Sequence, residues 1–451
     1  MIDVVVLGAG LTGMTTAFHL HKRGLDFVLL EQSGRVGGVI KSIIEDGFLY
    51  EEGPNSGVIG NIEVVKLFEE LAAECKMEVA SNLVKKRYVL KGGKWEALPG
   101  SFKAAVSTPL FTLRDKFRIL LEPFRPAGKN PHETLAGLVK RRLGKSFLDY
   151  AIDPFIIGVY AGDPNRLVPK YALPKLYQLE QQYGSFIGGT IRKQFQPKTE
   201  ELKKVTRGVF SVNGGLSTLI DALEKNIGND HILLNANDIT VKPVADHFEV
   251  SWINSQKERI TLETKKVIST IGAHQLNQVM PFIEPKELSK ITSLHYTKVL
   301  EVVVGFKAWK GMNLDAFGGL IPFVEKRDLL GVLFMSSLFK DRAPQGGALF
   351  SIFMGGVRRP EIFQLTDDEV IKILEMEFCD VMQLSGFQPD LFRIIRHSWA
   401  IPQYEADSGE RFLSIEKIER QYPGLVIGGN LRDGIGMADR ILQGKKLSEA
   451  V

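Results

Sequence analysis

Three short runs near the start of the chain hold the residues best placed to do chemistry. Gly8-Ala9-Gly10-Leu11-Thr12-Gly13 sets three glycines in a GxGxxG pattern. Gly8 permits a tight turn, Gly10 lets the backbone approach a pyrophosphate, and Gly13 lets the following helix pack close to its strand. Glu31 stands 23 residues after Gly8. A carboxylate at that distance accepts hydrogen bonds from an unphosphorylated ribose and argues against a 2′-phosphate. Arg35-Val36-Gly37-Gly38 adds a positive charge and a second glycine turn able to face phosphate. Together these residues would grip a dinucleotide through backbone amides and a helix dipole.

The elements that must position them follow from periodicity. Residues 4–7 are apolar on both faces, as in a buried parallel strand. A helix is predicted over 11–23, closed by Gly24, and a second strand over 27–30, ended by Glu31. Residues 61–76 place Val64, Leu67, Phe68 and Leu71 on one helical stripe, and 87–98 read as a hairpin around Gly92-Gly93. Residues 101–204 are mostly helical, broken at 123–131 and 158–169. Strand-like character returns at 209–212, 232–234, 238–241, 266–271, 299–306, 348–354 and 425–429, with a helix near 216–226 and a last one from Gly436. The expected fold is α/β: a Rossmann-like dinucleotide domain (1–60, 208–285, 418–451), a sheet-based substrate domain (61–100, 286–417) and a helical, basic insert (101–207).

Composition narrows the class. The chain has 451 residues, 44% apolar and 24% charged, which is ordinary for a globular protein of two or three domains. Its net charge of +4 is unevenly spread: residues 85–207 hold 24 Lys and Arg against 10 Asp and Glu. Such a basic body suits anionic substrates or an anionic membrane surface, although a solvated helical surface explains many of these charges equally well. No nucleic-acid motif accompanies it, so nucleic acid is not an expected partner. Cys75 and Cys379 are far apart and form no CxxC, so neither a disulfide framework nor a zinc cluster is expected. A strand beginning at residue 2 or 3 leaves no room for a signal peptide, and no apolar run reaches the ~18 residues that span a bilayer. The expectation is a cytoplasmic protein without a metal, with any membrane contact peripheral and on the cytoplasmic face.

After the second strand, Arg35-Val36-Gly37-Gly38 resembles the flavin amine oxidase superfamily. Glu52-Gly53-Pro54-Asn55-Ser56, Arg141-Arg142-Leu143-Gly144, Ile152-Asp153-Pro154-Phe155, Gly158-Val159-Tyr160-Ala161-Gly162-Asp163-Pro164, Asp341-Arg342-Ala343-Pro344 and the stretch from Pro423 to Asn430 resemble, in order, the oxygen-dependent protoporphyrinogen/coproporphyrinogen oxidase family. The resemblance implies non-covalent FAD, a porphyrinogen substrate, O2 as acceptor, a membrane-facing helical insert and a homodimer among the possible assemblies. It implies FAD contacts at Gly8, Gly10, Gly13, Glu31, Arg35, Gly38, Asn55, Ile239, Trp399, Gly429, Asn430, Gly436, Met437 and Ala438. On the substrate side it implies that Arg87 grips a propionate, that Leu320, Leu333 and Phe353 sandwich a tetrapyrrole, and that Gly162 and Tyr160 lie close to the ring.

Plainer readings stand beside these. Ile239 and Trp399 suit a core equally well, Arg87 could be a surface arginine beside Lys85 and Lys86, and the three apolar residues could be simple packing. His274, His295 and His397 read as structural, and no general base stands out. Other flavoenzymes compete: an amine oxidase would want a lysine near the ring, for which Lys298 is the nearest strand-borne candidate, and a carotenoid desaturase would lack the 158–164 stretch. A non-catalytic scaffold is the alternative of another class. Within the family, protoporphyrinogen is preferred over coproporphyrinogen, which the residues leave open.

Overall fold

A computed structural model describes residues 1–81, 84, 86–195, 197 and 199–451, and of residue 102 the backbone only. Lys85 lies outside the described residues.

The apolar run at the start forms the strand Ile2–Leu7, whose last four residues are buried. It lies parallel between Phe27–Leu30 and Arg259–Ser269. Ile232–Leu233 extends the sheet parallel to Phe27–Leu30, and Leu425–Ile427 pairs in parallel with the end of Arg259–Ser269. An antiparallel meander of Asn237–Val244, His247–Ile253 and Arg259–Ser269 completes the seven strands. Parallel strands need cover on both faces. Helices Leu11–Lys22, Ser217–Ile227 and Met437–Glu449 supply one side, where Val4 and Val6 meet Met14, Leu219 and Ile441. Helices Pro285–Thr292 and Ser408–Gln421 supply the other, where Val5 and Leu7 share a core with Leu288 and Ile415. Helices Leu11–Lys22 and Met437–Glu449 approach closely because Gly444 has no side chain: a Cβ there would lie 2.7 Å from that of Thr15.

The second sheet runs Leu391–His397, Val299–Phe306, Ala348–Gly355, Leu329–Phe334, Ala316–Leu320, Lys86–Lys91, Lys94–Ala97. Its pairings are antiparallel except that of Ala316–Leu320 with Lys86–Lys91. One face is dry: Leu300, Val302, Val332 and Ile352 pack on Val370, Leu374 and Phe378. The opposite face turns to the dinucleotide body, where the hairpin Ser42–Glu45/Phe48–Glu51 packs Phe48 and Tyr50 on Val303 and Leu349. The helical insert has its own core of Leu135, Leu138, Ile156 and Phe186. It is pinned by Arg142, fully buried between Glu122 and Glu180. Breaking such a pair costs about 3–5 kcal/mol by stranding a buried charge.

Packing divides the chain differently from the expected boundaries. Helix Ile62–Glu70 buries Val64, Leu67 and Phe68 in the core of the dinucleotide body, not against the second sheet. Met77–Val79 and Gly57–Val58 both pair with Val209–Val212 in a separate small sheet. Pro285–Thr292 and Ser408–Gln421 also belong to the dinucleotide body. Amphipathic periodicity shows that a helix has an apolar face, but not which distant surface receives it.

Candidate functional site

The parallel strands Ile2–Leu7, Phe27–Leu30 and Leu425–Ile427 end at one edge, and the site is built on the loops that leave it. Gly8 has φ +93°, and a Cβ on Gly13 would lie 1.9 Å from the Gly8 carbonyl oxygen, so the helix can start only on a glycine there. Gly10 is the opposite case. It caps the helix with no side-chain bond, and a Cβ on it would meet nothing within 4 Å. The loop thus leaves open space at the positive end of the helix.

Glu31 accepts from the Ala9 amide (2.7 Å) and from the Ser33 amide and hydroxyl (both 2.8 Å), which ties the first loop to the second strand's end. Gly37 donates to the Ala9 carbonyl at 2.7 Å, so the two glycine loops lie side by side, with Gly38 against Gly10. Arg35 does not reach out from its loop. Its guanidinium donates to the carbonyls of Val36, Gly38 and Ile40 and so shapes the turn. Ile239 sits in a β-bulge: the ladder registers Asn237 and Thr240 and skips the two residues between. Backbone outside the ladder is what an edge-on base contact would need, although the Ile239 side chain packs on the core.

Leu425–Ile427 leads into the loop 428–436 and helix Met437–Glu449. Gly429 donates to Gln443 Oε1 at 2.8 Å, and Asn430 Oδ1 accepts from the Tyr296 hydroxyl at 3.1 Å. Gly436 donates to Asp439 at 3.1 Å. Met437 and Ala438 bury their side chains, so only their backbone N–H groups are available to a ligand. Trp399 is 54% exposed, which excludes the core reading. It stacks flat on His274 at 4.1 Å and edge-on to Tyr296, beside the Asn430 loop.

The second sheet brings the substrate-side residues onto one face. Leu320 is opposite Gly331, Gly331 opposite Phe353, and Phe353 opposite Glu301. Leu333 is opposite Ser351, two residues from Phe353, and Leu320 is opposite Val89, two residues from Arg87. Directly opposed residues share a face, as do residues two apart along a strand. Leu320, Leu333 and Phe353 are only half-buried, whereas the reverse face is fully buried. Leu333 packs against the core beside Phe48 and Val303 and is still partly open. Arg87 is exposed, lies over the Phe317 ring at 5.4 Å and has no carboxylate partner among the described residues. Helix Asp153–Tyr160 closes the Leu320 end, where a Cβ on Gly158 would lie 2.8 Å from Leu320. Gly162 packs against Gln403.

Two further side chains are engaged within the protein. Tyr160 is buried, and its hydroxyl donates to the Ala172 carbonyl at 2.6 Å. Asn55 is spent on protein. Its amide nitrogen donates to Glu301 at 2.6 Å and to the Gly53 carbonyl, and its oxygen accepts from Ser351 at 2.6 Å. Lys298, the lysine an amine oxidase would need, is adjacent to Val299 and points to the other face, over the Phe363 ring.

One residue missed in sequence is Glu301. It is fully buried in the otherwise apolar strand Val299–Phe306, on the same face as Phe353. It accepts from Asn55, from the Gly53 amide at 3.2 Å, and is paired with His397 Nε2 at 3.2 Å. Burial pushes its carboxyl above the usual range, against the pull of the His397 and Asn55 hydrogen bonds. Glu301 thus joins the 53–55 turn to the apolar face. The only signal was one charge inside a continuous apolar run.

The profile of the flavin-containing amine oxidoreductases matches residues 11–451. The chain belongs to that family, and within it to the branch of protoporphyrinogen and coproporphyrinogen III oxidases. It is 30% identical to the mitochondrial protoporphyrinogen oxidase of Nicotiana tabacum, over 99% of this chain and 94% of that one. It is 29% identical to protoporphyrinogen oxidase 2 of Arabidopsis thaliana, over 99% and 93%. Coproporphyrinogen III oxidase of Bacillus subtilis is 27% identical, over 98% and 96%. Among solved structures, a candidate protoporphyrinogen oxidase from Exiguobacterium sp. 255-15 shares the fold, with TM-score 0.82, 20% identity and coverage of 99% and 98%. The protein is accordingly an FAD-dependent oxidoreductase. The residues present fit that cofactor: open space at Gly10, the adjoining Gly37-Gly38 loop, Glu31 and a second helix N-terminus at Gly436.

Proposed function

We propose that the protein oxidises a porphyrinogen to its porphyrin, with O2 as final acceptor and H2O2 as product. The observation that carries this reading is the accessible face of the second sheet: three half-buried apolar side chains in register, with the Arg87 guanidinium, which has no carboxylate partner among the described residues, at one end. A flat apolar macrocycle with carboxylates on its edge matches that arrangement, since a guanidinium fork binds a carboxylate at two points. The full-length likeness to porphyrinogen oxidases supports the same substrate class.

FAD bound here supplies a two-electron hydride acceptor, so the six-electron oxidation takes three turnovers. The chain's own contribution is positioning. Arg87 sets the ring's orientation, Leu320, Leu333 and Phe353 hold its plane and exclude water, and the Glu301–Asn55 bond fixes the 53–55 turn beside them.

Protoporphyrinogen, with two propionates, is the preferred substrate. Two other cations borne near these strands are already paired, Arg358 with Asp153 at 2.7 Å and Lys86 with Asp315 at 2.5 Å. Four propionates would leave more charge unpaired. Purified protein given each porphyrinogen in air should yield fluorescent porphyrin, faster from protoporphyrinogen. Tenfold faster turnover of coproporphyrinogen would reverse the preference, and no turnover of either would remove the proposal.

No helix among the described residues is long and apolar enough to cross a membrane. Helix Leu113–Leu120 nevertheless exposes Leu113, Phe117 and Leu120, followed by Leu121 and Phe124, the last 84% exposed. Arg114, Lys116, Arg118 and Arg125 lie among them. Apolar side chains ringed by cations suit a peripheral seat on an anionic membrane, through which an apolar porphyrin could leave.

A further inference from the structure

Arg411 and Arg440 are two buried arginines that the proposed reaction does not use; Arg411 lies over the Tyr404 and Phe412 rings and donates to Ser408, and Arg440 donates to Gln443. Arg411 is fully buried and Arg440 nearly so. Arg440 forms no ion pair among the described residues. It stands in the first turn of helix Met437–Glu449, where the helix dipole disfavours a cation. The one ion pair of Arg411 among the described residues is with the half-exposed Asp407, at 3.6 Å. Each keeps a buried N–H without an acceptor, Nε on Arg440 and Nη1 on Arg411. Burial disfavours the charge on both. A folding rule broken twice at one place marks a functional site.

What the arginines do is visible in their bonds. Arg411 Nε donates to the Leu431 carbonyl at 3.2 Å, and Arg440 Nη2 to the Arg432 carbonyl at 2.9 Å. The Tyr404 hydroxyl lies 3.0 Å from the Asn430 carbonyl and 3.1 Å from that of Gly434. Four carbonyls of the 429–436 loop are thus drawn inward. In a planar trans peptide the next residue's N–H points the other way. The N–H groups of Leu431, Asp433 and Ile435 accordingly have no acceptor among the described residues. They lie beside the free amides of Met437 and Ala438 at the helix start. The result is a run of unbonded donors in a loop whose carbonyls are held by two cations and a tyrosine, as an anion nest requires. The nearby acids are engaged or exposed: Asp433 with Arg432 and Gln443, Asp439 with the Gly436 amide, Asp407 with Arg411.

We infer that Arg411 and Arg440 are positioning residues that turn this loop's amides toward the cofactor and place their charge behind it, so that negative charge gained on reduction is stabilised more than the oxidised state. The inference rests on the family's cofactor and not on the substrate.

The test uses the holoenzyme without substrate. Arg440→Gln keeps a donor for the Arg432 carbonyl and removes the charge. It should lower the preference for reduced over oxidised FAD about tenfold, read as a fall of about 30 mV in midpoint potential. Arg411→Gln should lower it in the same direction, and Arg440→Lys should restore most of it. Tyr404→Phe releases two carbonyls without touching charge. It should raise the Kd of oxidised FAD several-fold and leave the potential near that of the wild type. Wild-type potential in both Gln variants with FAD bound would overturn the charge claim. If neither Gln variant holds FAD, Arg440→Lys decides: failure to bind there too would make the arginines structural and overturn the inference.

Discussion

Gly10 and Gly13 give opposite predictions from the same methyl group. At Gly13 an added Cβ meets the Gly8 carbonyl oxygen at 1.9 Å and Thr270 Oγ1 at 2.9 Å. Ordinary contact needs roughly 1.5 Å more, so helix Leu11–Lys22 must retreat from a core that includes Val4, Val6 and Met14. Loosening such a core costs about 3 kcal/mol. Gly13→Ala should therefore lower the Tm of the apoprotein and weaken FAD together. At Gly10 a Cβ meets no protein atom within 4 Å. Gly10→Ala should cost the apoprotein only about 1 kcal/mol, the price of alanine at a helix N-cap. The same methyl would stand where a phosphate approaches the helix amides. Losing two charge-assisted hydrogen bonds, each worth about 1.5–3 kcal/mol, should raise the Kd for FAD about 100-fold or more. Differential scanning of the apoprotein and titration with FAD give both numbers. A Gly10→Ala variant that binds FAD within twofold of the wild type would refute this loop as the phosphate site.

Arg87→Ala should raise KM about 10- to 100-fold with a smaller effect on kcat, because it removes a charge-assisted carboxylate contact; an unchanged KM in steady-state assays would remove Arg87 from the site. Glu301→Leu strands the Asn55 and Gly53 donors, at about 1–3 kcal/mol each, so denaturant midpoints should fall well below those of Glu301→Gln. Because burial raises the Glu301 pKa in the fold, the wild type should lose stability relative to Glu301→Gln as pH rises through that value; equal pH dependence would contradict it. His19, buried in the first helix and to a lesser degree repelled by Lys445, is pushed down to about 4 from 6.5. Below pH 6.5 the unfolded chain takes a proton that the fold refuses. About 3 kcal/mol should be lost as pH falls from 6.5 to 4, and His19→Gln should flatten that part of the urea-derived stability profile.

The parts of the site that were legible in sequence are local in the chain. Gly8 to Gly13 and Glu31 lie within one βαβ unit, so type and spacing alone imply their geometry. The grouping of Leu320, Leu333, Phe353 and Arg87 rests on strand register, which no local pattern states; only the family resemblance named them. Glu301 was hidden in an apolar strand, and nothing local in the chain marks Arg411 and Arg440 as buried. The bond from the Tyr160 hydroxyl to Ala172 was not legible because Ala172 belongs to a later helix. The boundaries at 61, 286 and 418 failed because a helix's apolar stripe does not say which body receives it.

The central claim is that porphyrinogen gives its electrons to the FAD of this site. Oxidised holoenzyme mixed anaerobically with protoporphyrinogen should show the flavin absorbance bleach, with three enzyme equivalents reduced per porphyrin formed, and admission of air should restore the oxidised spectrum with H2O2. A flavin that stays oxidised in the presence of excess porphyrinogen would contradict the account.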